Sequence, residues 1–432
     1  MSLYILCSIN SPNLLKILFL TYMKPRLSSF GRVKKHNKMK NYYILKTLCK
    51  RIFLIGSGNF WYEDTEIGND TKILYRLYGF IIFFMYGFLT LLEIMAAVFG
   101  NFPEDEKRDS VTFATSHTIV MIKIFSIVSQ KKLIKKLNHD LVRVAELYEQ
   151  EAHMTAKYRI MKINVVAYFM TVYGSAACFV FEGFRKMHEG SHFATVITYY
   201  PAFEDNSTLA TGLRFFCTAV LFVMLITMIF TVDAFTMIIL IMYKYKFITL
   251  RHYFENLSNE FEKNNVQGNT KQAVERLTNG FAEGIMMHNE LIRLSKEIDK
   301  AFGTVMALQL CQSSGSAVSL LLQMALSDHL TFVASMKIIF FVVALFFLLG
   351  LFLCNAGEIT YQASLLSDTI FYCGWYACPA RKKIRRNLRH MVLQACVQAQ
   401  RPIIMKAFKM LELTYGTFLL VSAVFFFFFS LL

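Results

Sequence analysis

Seven stretches of this chain are apolar for long enough to cross a lipid bilayer: Ile73–Phe99, Val111–Ser129, Ile163–Phe184, Leu213–Tyr243, Phe302–Leu326, Thr331–Cys354 and Leu411–Leu432. A spanning helix needs about 20 residues, because a rise of about 1.5 Å per residue must cover hydrocarbon about 30 Å thick. Composition agrees with this reading, since 55% of residues are hydrophobic and only 18% are charged. Soluble domains carry about a quarter charged residues. The expected fold class is an all-α integral membrane protein with seven transmembrane helices. The final block is the most extreme, with one charge, Glu412, and an unbroken phenylalanine run from Phe425 to Phe429. Apolar surface of that extent needs cover, from lipid or from neighbouring protein.

Near the start of the chain, Leu14–Tyr22 is apolar, but Lys24 and Arg26 follow it instead of preceding it. No small-residue cleavage site follows either, so a short helix on the membrane surface is expected there and not a signal peptide. Orientation comes from lysine and arginine. Twelve precede the first apolar block, and the segments after the second, fourth and sixth hold eight, nine and nine. The remaining loops hold far fewer, which places the N-terminus in the cytoplasm and, after seven crossings, the C-terminus outside. That is inverted relative to G-protein-coupled receptors, whose DRY and NPxxY signatures are also absent. The net charge of +16 then belongs to cytoplasmic loops beside anionic lipid, and nucleic-acid binding is not expected.

Three helical segments reach beyond the membrane. The fourth apolar block continues past Tyr243 into KYKFITLRHYFENLSNEF without a Pro or Gly break. The returning segment carries Val274, Leu277, Phe281, Ile285, Leu291, Leu294 and Ile298 at the three-four spacing of an amphipathic helix. RKKIRRNLRHMVLQACVQAQ repeats the pattern with Ile384, Leu388, Val392 and Ala395. Such stripes imply a packed cytoplasmic domain or an interface between subunits, and Leu388 and Val392 are assigned to the interface. The chain divides into a cytoplasmic segment 1–72, transmembrane helices one to four over 73–243, a cytoplasmic extension 244–301, helices five and six over 302–378, an anchor helix region 379–410 and helix seven over 411–432.

Motifs for catalysis are missing. There is no nucleophile elbow, HExxH, P-loop or paired intramembrane carboxylate, so no enzyme is expected, and neither a metal site nor a cofactor. Internal repeats and broken helices, which mark transporters, are absent too. Cysteines read as small buried hydrophobes, with Cys178 and Cys217 alone placed near outer helix ends where a disulfide can form. The intramembrane ionisable residues are Glu93, Lys123, Asp233 and Lys337, and such groups are functional by default. Lys123 is expected to snorkel from the cytoplasmic end of helix two, and Asp233 to face a cytoplasmic cavity or a partner helix. Asn206 heads the only outward-facing glycosylation sequon, whereas those at Asn69 and Asn256 lie on the cytoplasmic side.

The segment FYCGWYACPARKKIRRNLRHMVLQACVQAQRPIIMKAFKMLELTYGTF resembles the C-terminal signature of insect odorant receptors. The likeness rests on Tyr372 with Trp375-Tyr376, the basic helix, Gln400-Arg401-Pro402 and a short linker into a last apolar helix. Tyr199-Tyr200-Pro201, the seven helices, the inside N-terminus and the chain length resemble the same family. The family's co-receptor carries a longer cytoplasmic insertion after helix four, which this chain lacks. The resemblance therefore implies a ligand-tuning subunit of an odorant-gated cation channel. It would form a heterotetramer with the odorant receptor co-receptor, in the plasma membrane of olfactory neuron dendrites.

Helix seven would then line the pore. Val424, Phe427, Phe428 and Leu431 share one helical stripe, and a hydrophobic constriction gates by dewetting. The resemblance puts Phe427 and Leu431 at the gate, with Ser430 as the polar position beside them. It also implies a ligand pocket in the outer half of the membrane between helices two, three, four and six. The residues offered there are His117, Thr118 and Met121; Thr171, Gly174, Ser175 and Cys178; Phe216 and Val220; and Phe332, Ser335, Met336 and Ile339. Aromatic, methionine and hydroxyl groups suit a small apolar volatile with one hydrogen-bond acceptor, such as a mid-sized ester, alcohol or terpenoid. Packing between helices, which favours small residues, is the competing role for the same positions. A gustatory-type homotetramer that conducts without the co-receptor is the alternative function.

Overall fold

Most of the apolar blocks emerge as helices longer than themselves. The computed structural model describes residues 38–100, 104–188, 200, 207–326, 332–378, 382–408 and 410–431. Helix α1 (Lys38–Leu54) and the single turn α2 (Asp64–Ile67) precede the first crossing, α3 (Ile73–Phe99), which coincides with its sequence block. Then come α4 (Glu104–Ser129), the short amphipathic α5 (Lys131–Arg143) and α6 (Glu151–His188). Helices α7 (Thr208–Met228) and α8 (Ala234–Val266) run on as one rod of 59 residues, interrupted only by a π-helical turn over Ile229–Asp233. Helix α9 (Thr270–Leu326) has 57 residues, about 85 Å at 1.5 Å per residue. The amphipathic segment and the fifth apolar block are thus a single helix. Helix α10 (Phe332–Ser364), the short α11 (Leu366–Phe371), α12 (Lys382–Ala399) and α13 (Tyr415–Leu431) complete the chain.

Among the described residues, five helical runs are long and apolar enough to span a membrane on their own: Ile73–Phe99, Ser110–Ser129, Glu151–Arg185, Thr208–Val266 and Ile338–Ala377. Many of their large side chains, Phe80, Phe84, Phe125 and Phe181 among them, point outward. In water that would be a defect, but hydrocarbon accepts them. The buried apolar groups lie instead between helices and in the extension beyond the bundle.

There the stripe residues Leu277, Phe281, Leu291, Leu294 and Ile298 of α9 are buried together with Phe254 and Phe261 of α8. The two helices approach closely because glycine sits at the contact. A Cβ on Gly284 would stand 2.4 Å from Phe254 Cζ, and one on Gly280 would stand 2.7 Å from Leu257 Cδ1. The Phe254 ring is itself fully buried, so it has no room to yield. Gly284→Ala is therefore expected to lower stability by about 1 to 3 kcal/mol, the usual cost of overpacking. Thermal melting of the purified chain in detergent reads this, and an unchanged transition would show that α8 and α9 are not held this tightly.

The third stripe corrects the sequence reading. Leu388 and Val392, assigned above to a subunit interface, are buried inside the chain's own fold, on a helix that packs against α11. The face of α12 left exposed carries Leu393 and Val397. Periodicity shows that a helix has an apolar face, but not which partner covers it. A second departure concerns the linker into the last helix. It folds as a small antiparallel hairpin, β1 (Lys406–Ala407) against β2 (Leu411–Glu412), with Lys406 opposite Glu412. Two-residue strands are too short for alternation to register.

Candidate functional site

Near the end of the bundle where α3 gives way to α4, helices α3, α4, α6, α7 and α10 converge on a cluster of rings. Phe113 of α4 meets Phe179 of α6 edge-on at 5.0 Å between centroids, and Phe341 of α10 completes the triad at 6.1 and 5.5 Å. Leu89 and Leu92 of α3 and Cys217, Val220 and Leu221 of α7 pack around them. A polar pair is set into this apolar patch. His117 Nδ1 lies 2.7 Å from Glu93 Oε2, and its ring stacks on Phe113 at 6.0 Å. Glu93 is only 1% exposed. A carboxylate and an imidazole so placed offset each other's burial cost and supply hydrogen-bonding capacity amid aromatic surface. Apolar walls with a few convergent polar groups are the usual make-up of a small-molecule site.

The base of the last helix is a second constellation. Tyr415 OH donates to Glu358 Oε2 of α10 at 2.7 Å. One turn on, Phe418 packs against Gly350 of α10, its Cζ 3.3 Å from where a Cβ would stand. The hairpin is held by Asp299 of α9, whose Oδ1 accepts from the Lys406 backbone N–H at 3.1 Å. Beyond Phe418, Leu419, Leu420, Val424 and Phe427 are all exposed, Phe427 at 62%. At about 100° per residue, Phe427 lies half a turn around the axis from Phe418.

The odorant receptor family model matches residues 105–425, most of the chain. The chain belongs to the odorant receptor family. Its fold is similar to that of the insect olfactory receptor OR5 from Machilis hrabei, with a TM-score of 0.70 at 12% identity over 90% of this chain and 98% of that one. The same receptor in complex with eugenol gives 0.67, again at 12% identity, over 90% of this chain and 98% of that one. No curated protein matches the sequence. The architecture is accordingly the seven-transmembrane, all-helical fold of that family.

Residues expected to line a ligand pocket in this odorant receptor fall into distinct groups. His117 and Val220 lie in the ring cluster. Ser175 is buried, and Met121, Cys178, Ser335 and Met336 are half-buried. The hydroxyls of Thr118 and Thr171 each donate to their own helix, at 2.7 Å to Ala114 O and 2.7 Å to Ala167 O, so only their lone pairs remain for another partner. Phe216, at 54% exposure, and Ile339 point away from the bundle. Gly174 is exposed with open space at its Cβ position, so it does not make room inside the cluster. Cys178 and Cys217 are free thiols. The side chains of Phe332, Lys337, Phe428, Ser430 and Leu431 fall outside the described residues, as does Asn206.

Glu93, Phe113, Phe179, Cys217 and Phe341 were not singled out as site residues from the sequence. Glu93 carried a signal, as an ionisable group within an apolar block. The rings did not, because 42 phenylalanines offer no contrast. Lys123 corrects another expectation. It does not snorkel but is fully buried, donating to Gln309 Oε1 and, at 2.6 Å, to Gln312 Oε1 of α9.

The hairpin contact carries a pH dependence. Burial pushes the Asp299 carboxyl up to about 6, against the opposing pull of the Lys406 N–H and of its charge. The folded chain thus holds this proton more tightly than the unfolded one. Its contribution to stability is fully present below the ordinary carboxylate range and is lost as pH rises through about 6. Melting in detergent across that window should show the wild type gaining on Asp299→Asn toward acid pH. Parallel curves would show that Asp299 is not the titrating group.

Proposed function

We propose that this odorant receptor is a ligand-tuning subunit that binds a small volatile in the ring cluster around Glu93 and His117. Binding opens a non-selective cation channel formed with the odorant receptor co-receptor. The N-terminus and the basic segments face the cytoplasm, so the cluster lies in the outer half of the plasma membrane. The observation that carries this reading is the last helix. It is tied to the bundle along the face of Tyr415 and Phe418, yet presents Val424 and Phe427 outward. An exposed apolar face on a helix otherwise anchored to its own bundle suits a wall shared with other subunits around a pore. The ligand is an apolar molecule with one hydrogen-bonding group, an ester, alcohol or terpenoid, since the cluster offers rings and a single polar pair. The eugenol-bound receptor of the same fold supports a volatile of this kind. No reaction on the ligand and no cofactor form part of this function.

Current recordings from cells expressing the chain with and without the co-receptor, against a panel of such volatiles, test the reading. Volatile-evoked cation current that requires both chains is expected. Current of equal size from this chain alone would replace the heteromer with a gustatory-type homotetramer, and silence in both arms would overturn the reading.

A further inference from the structure

Between the ring cluster and the seat of the last helix lies a buried polar layer that the proposed function leaves unused. Its centre is the π-helical turn Ile229–Asp233, where α7 passes into α8. Such turns are rare within α-helices and recur at functional sites. Polar side chains from several other elements converge on it. Ser57 Oγ meets Thr231 Oγ1 at 3.0 Å, and Tyr86 OH of α3 meets Thr227 Oγ1, just before the turn, at 2.9 Å. Tyr168 OH of α6 donates to Asp233 Oδ2. Lys123, held by Gln309 and Gln312 of α9, comes from α4, which packs against the same turn.

Asp233 is fully buried, and its second oxygen, Oδ1, has no hydrogen-bond partner among the described residues. An acceptor left unmet in an apolar interior is costly, and an ionisable group at such depth marks function by default. The Lys123 ammonium has three protons to place, and the bonds to the two glutamines account for two of them. The turn also divides one rod into two working halves. Before it, Cys217, Val220 and Leu221 belong to the ring cluster. After it, Phe235 packs edge-on against Phe302 of α9 at 5.7 Å. Helix α9 in turn holds the hairpin beneath the last helix through Asp299.

We propose that Asp233 and Lys123, with Tyr168 as their support, are positioning residues that transmit ligand occupancy in the ring cluster to α9 and so to the last helix. Lys123 grips α9 through Gln309 and Gln312. A ligand that shifts α7 brings the bare Oδ1 of Asp233 to the ammonium. Lys123 then exchanges a glutamine for the carboxylate, loosening its hold on α9. The π turn supplies the slack, because its extra residue per turn lets the two halves of the rod move separately. This inference rests on the proposed ligand-gated function.

The test uses Lys123→Met, Asp233→Asn and the double variant, each co-expressed with the co-receptor and normalised to surface amount. Currents are recorded against a panel of esters, alcohols and terpenoids. Each single variant is expected to lower the maximal current or raise the half-saturating concentration by about tenfold, within the range of allosteric couplings. The rank order of volatiles should not change. The double variant should lose no more than the worse single variant, since both residues serve one step. A return to the wild-type response would overturn the relay, because neither exchanging group is then present. Wild-type behaviour in the single variants, multiplied losses in the double variant, or a changed rank order would overturn the proposal. The same chains, purified in detergent, are also melted. Non-additive shifts support the Lys123–Asp233 interaction and additive shifts overturn it, whether or not current is obtained. A wild-type chain silent to the panel but non-additive in melting would refute the channel reading and not the pairing.

Discussion

Replacing Phe427 by Ser is expected to produce a channel that leaks cations in the absence of any volatile. Phe427 is exposed on the face of α13 opposite Phe418, which packs onto Gly350 of α10. If that face borders a pore, a phenyl ring there keeps the constriction dry, and a hydroxyl makes water welcome. Burying or wetting a ring of this size is a matter of about 2 to 3 kcal/mol. Even half of that acting on the closed state raises resting current by about tenfold. Whole-cell recording without ligand, together with ion-substitution measurements, reads the effect. Phe418→Leu is the internal control, because it alters packing against α10 and not the exposed face. It should change surface amount before it changes conduction. Unaltered resting current and selectivity in Phe427→Ser, Val424→Ser and Leu420→Ser together would remove α13 from the pore wall.

The second large effect concerns α12, where the structure separates two kinds of residue that look alike in sequence. Leu388 and Val392 are buried within the chain, whereas Val397 is 60% exposed. Leu388→Asp places a carboxylate in the chain's buried interior, at a cost of several kcal/mol. That is enough to unfold a marginally stable domain. Loss of the folded chain is expected, seen as absent surface protein and no melting transition in detergent. Val397→Asp puts its charge in solvent, so the isolated chain should melt within about 0.5 kcal/mol of wild type. If the exposed face of α12 docks on the co-receptor, co-purification falls in Val397→Asp while folding is kept. A stable, well-expressed Leu388→Asp chain would contradict the burial of Leu388.

The crossings, their order and the amphipathic extension beyond them were legible in the sequence. Hydropathy is a property of each residue alone, and its sum over twenty neighbours depends on nothing distant. The block Ile73–Phe99 therefore coincides with α3 residue for residue. The stripe Val274 to Ile298 marks the buried face of α9 for a similar local reason. The Tyr372 to Phe418 segment likewise pointed to the family that the family model supports. Ends of elements were less legible, because α8 and α9 continue past the membrane wherever packing in the extension supports them.

Which side chains meet was decided only in the tertiary structure. Each residue advances a helix by about 100°, so the partner of a side chain depends on the rotation of two helices about their axes. It also depends on segments far away in sequence. His117 finds Glu93 across 24 residues, and Lys123 finds Gln309 across 186, at a depth where the sequence alone favoured escape toward water. Gly174 illustrates the same limit in reverse. Its small size marked a place for close approach, but the rotation of α6 turns that place outward. Local hydropathy thus determined that the chain lies in a membrane and how often it crosses. The packing of helices against one another determined where, inside that membrane, its few polar groups are brought together.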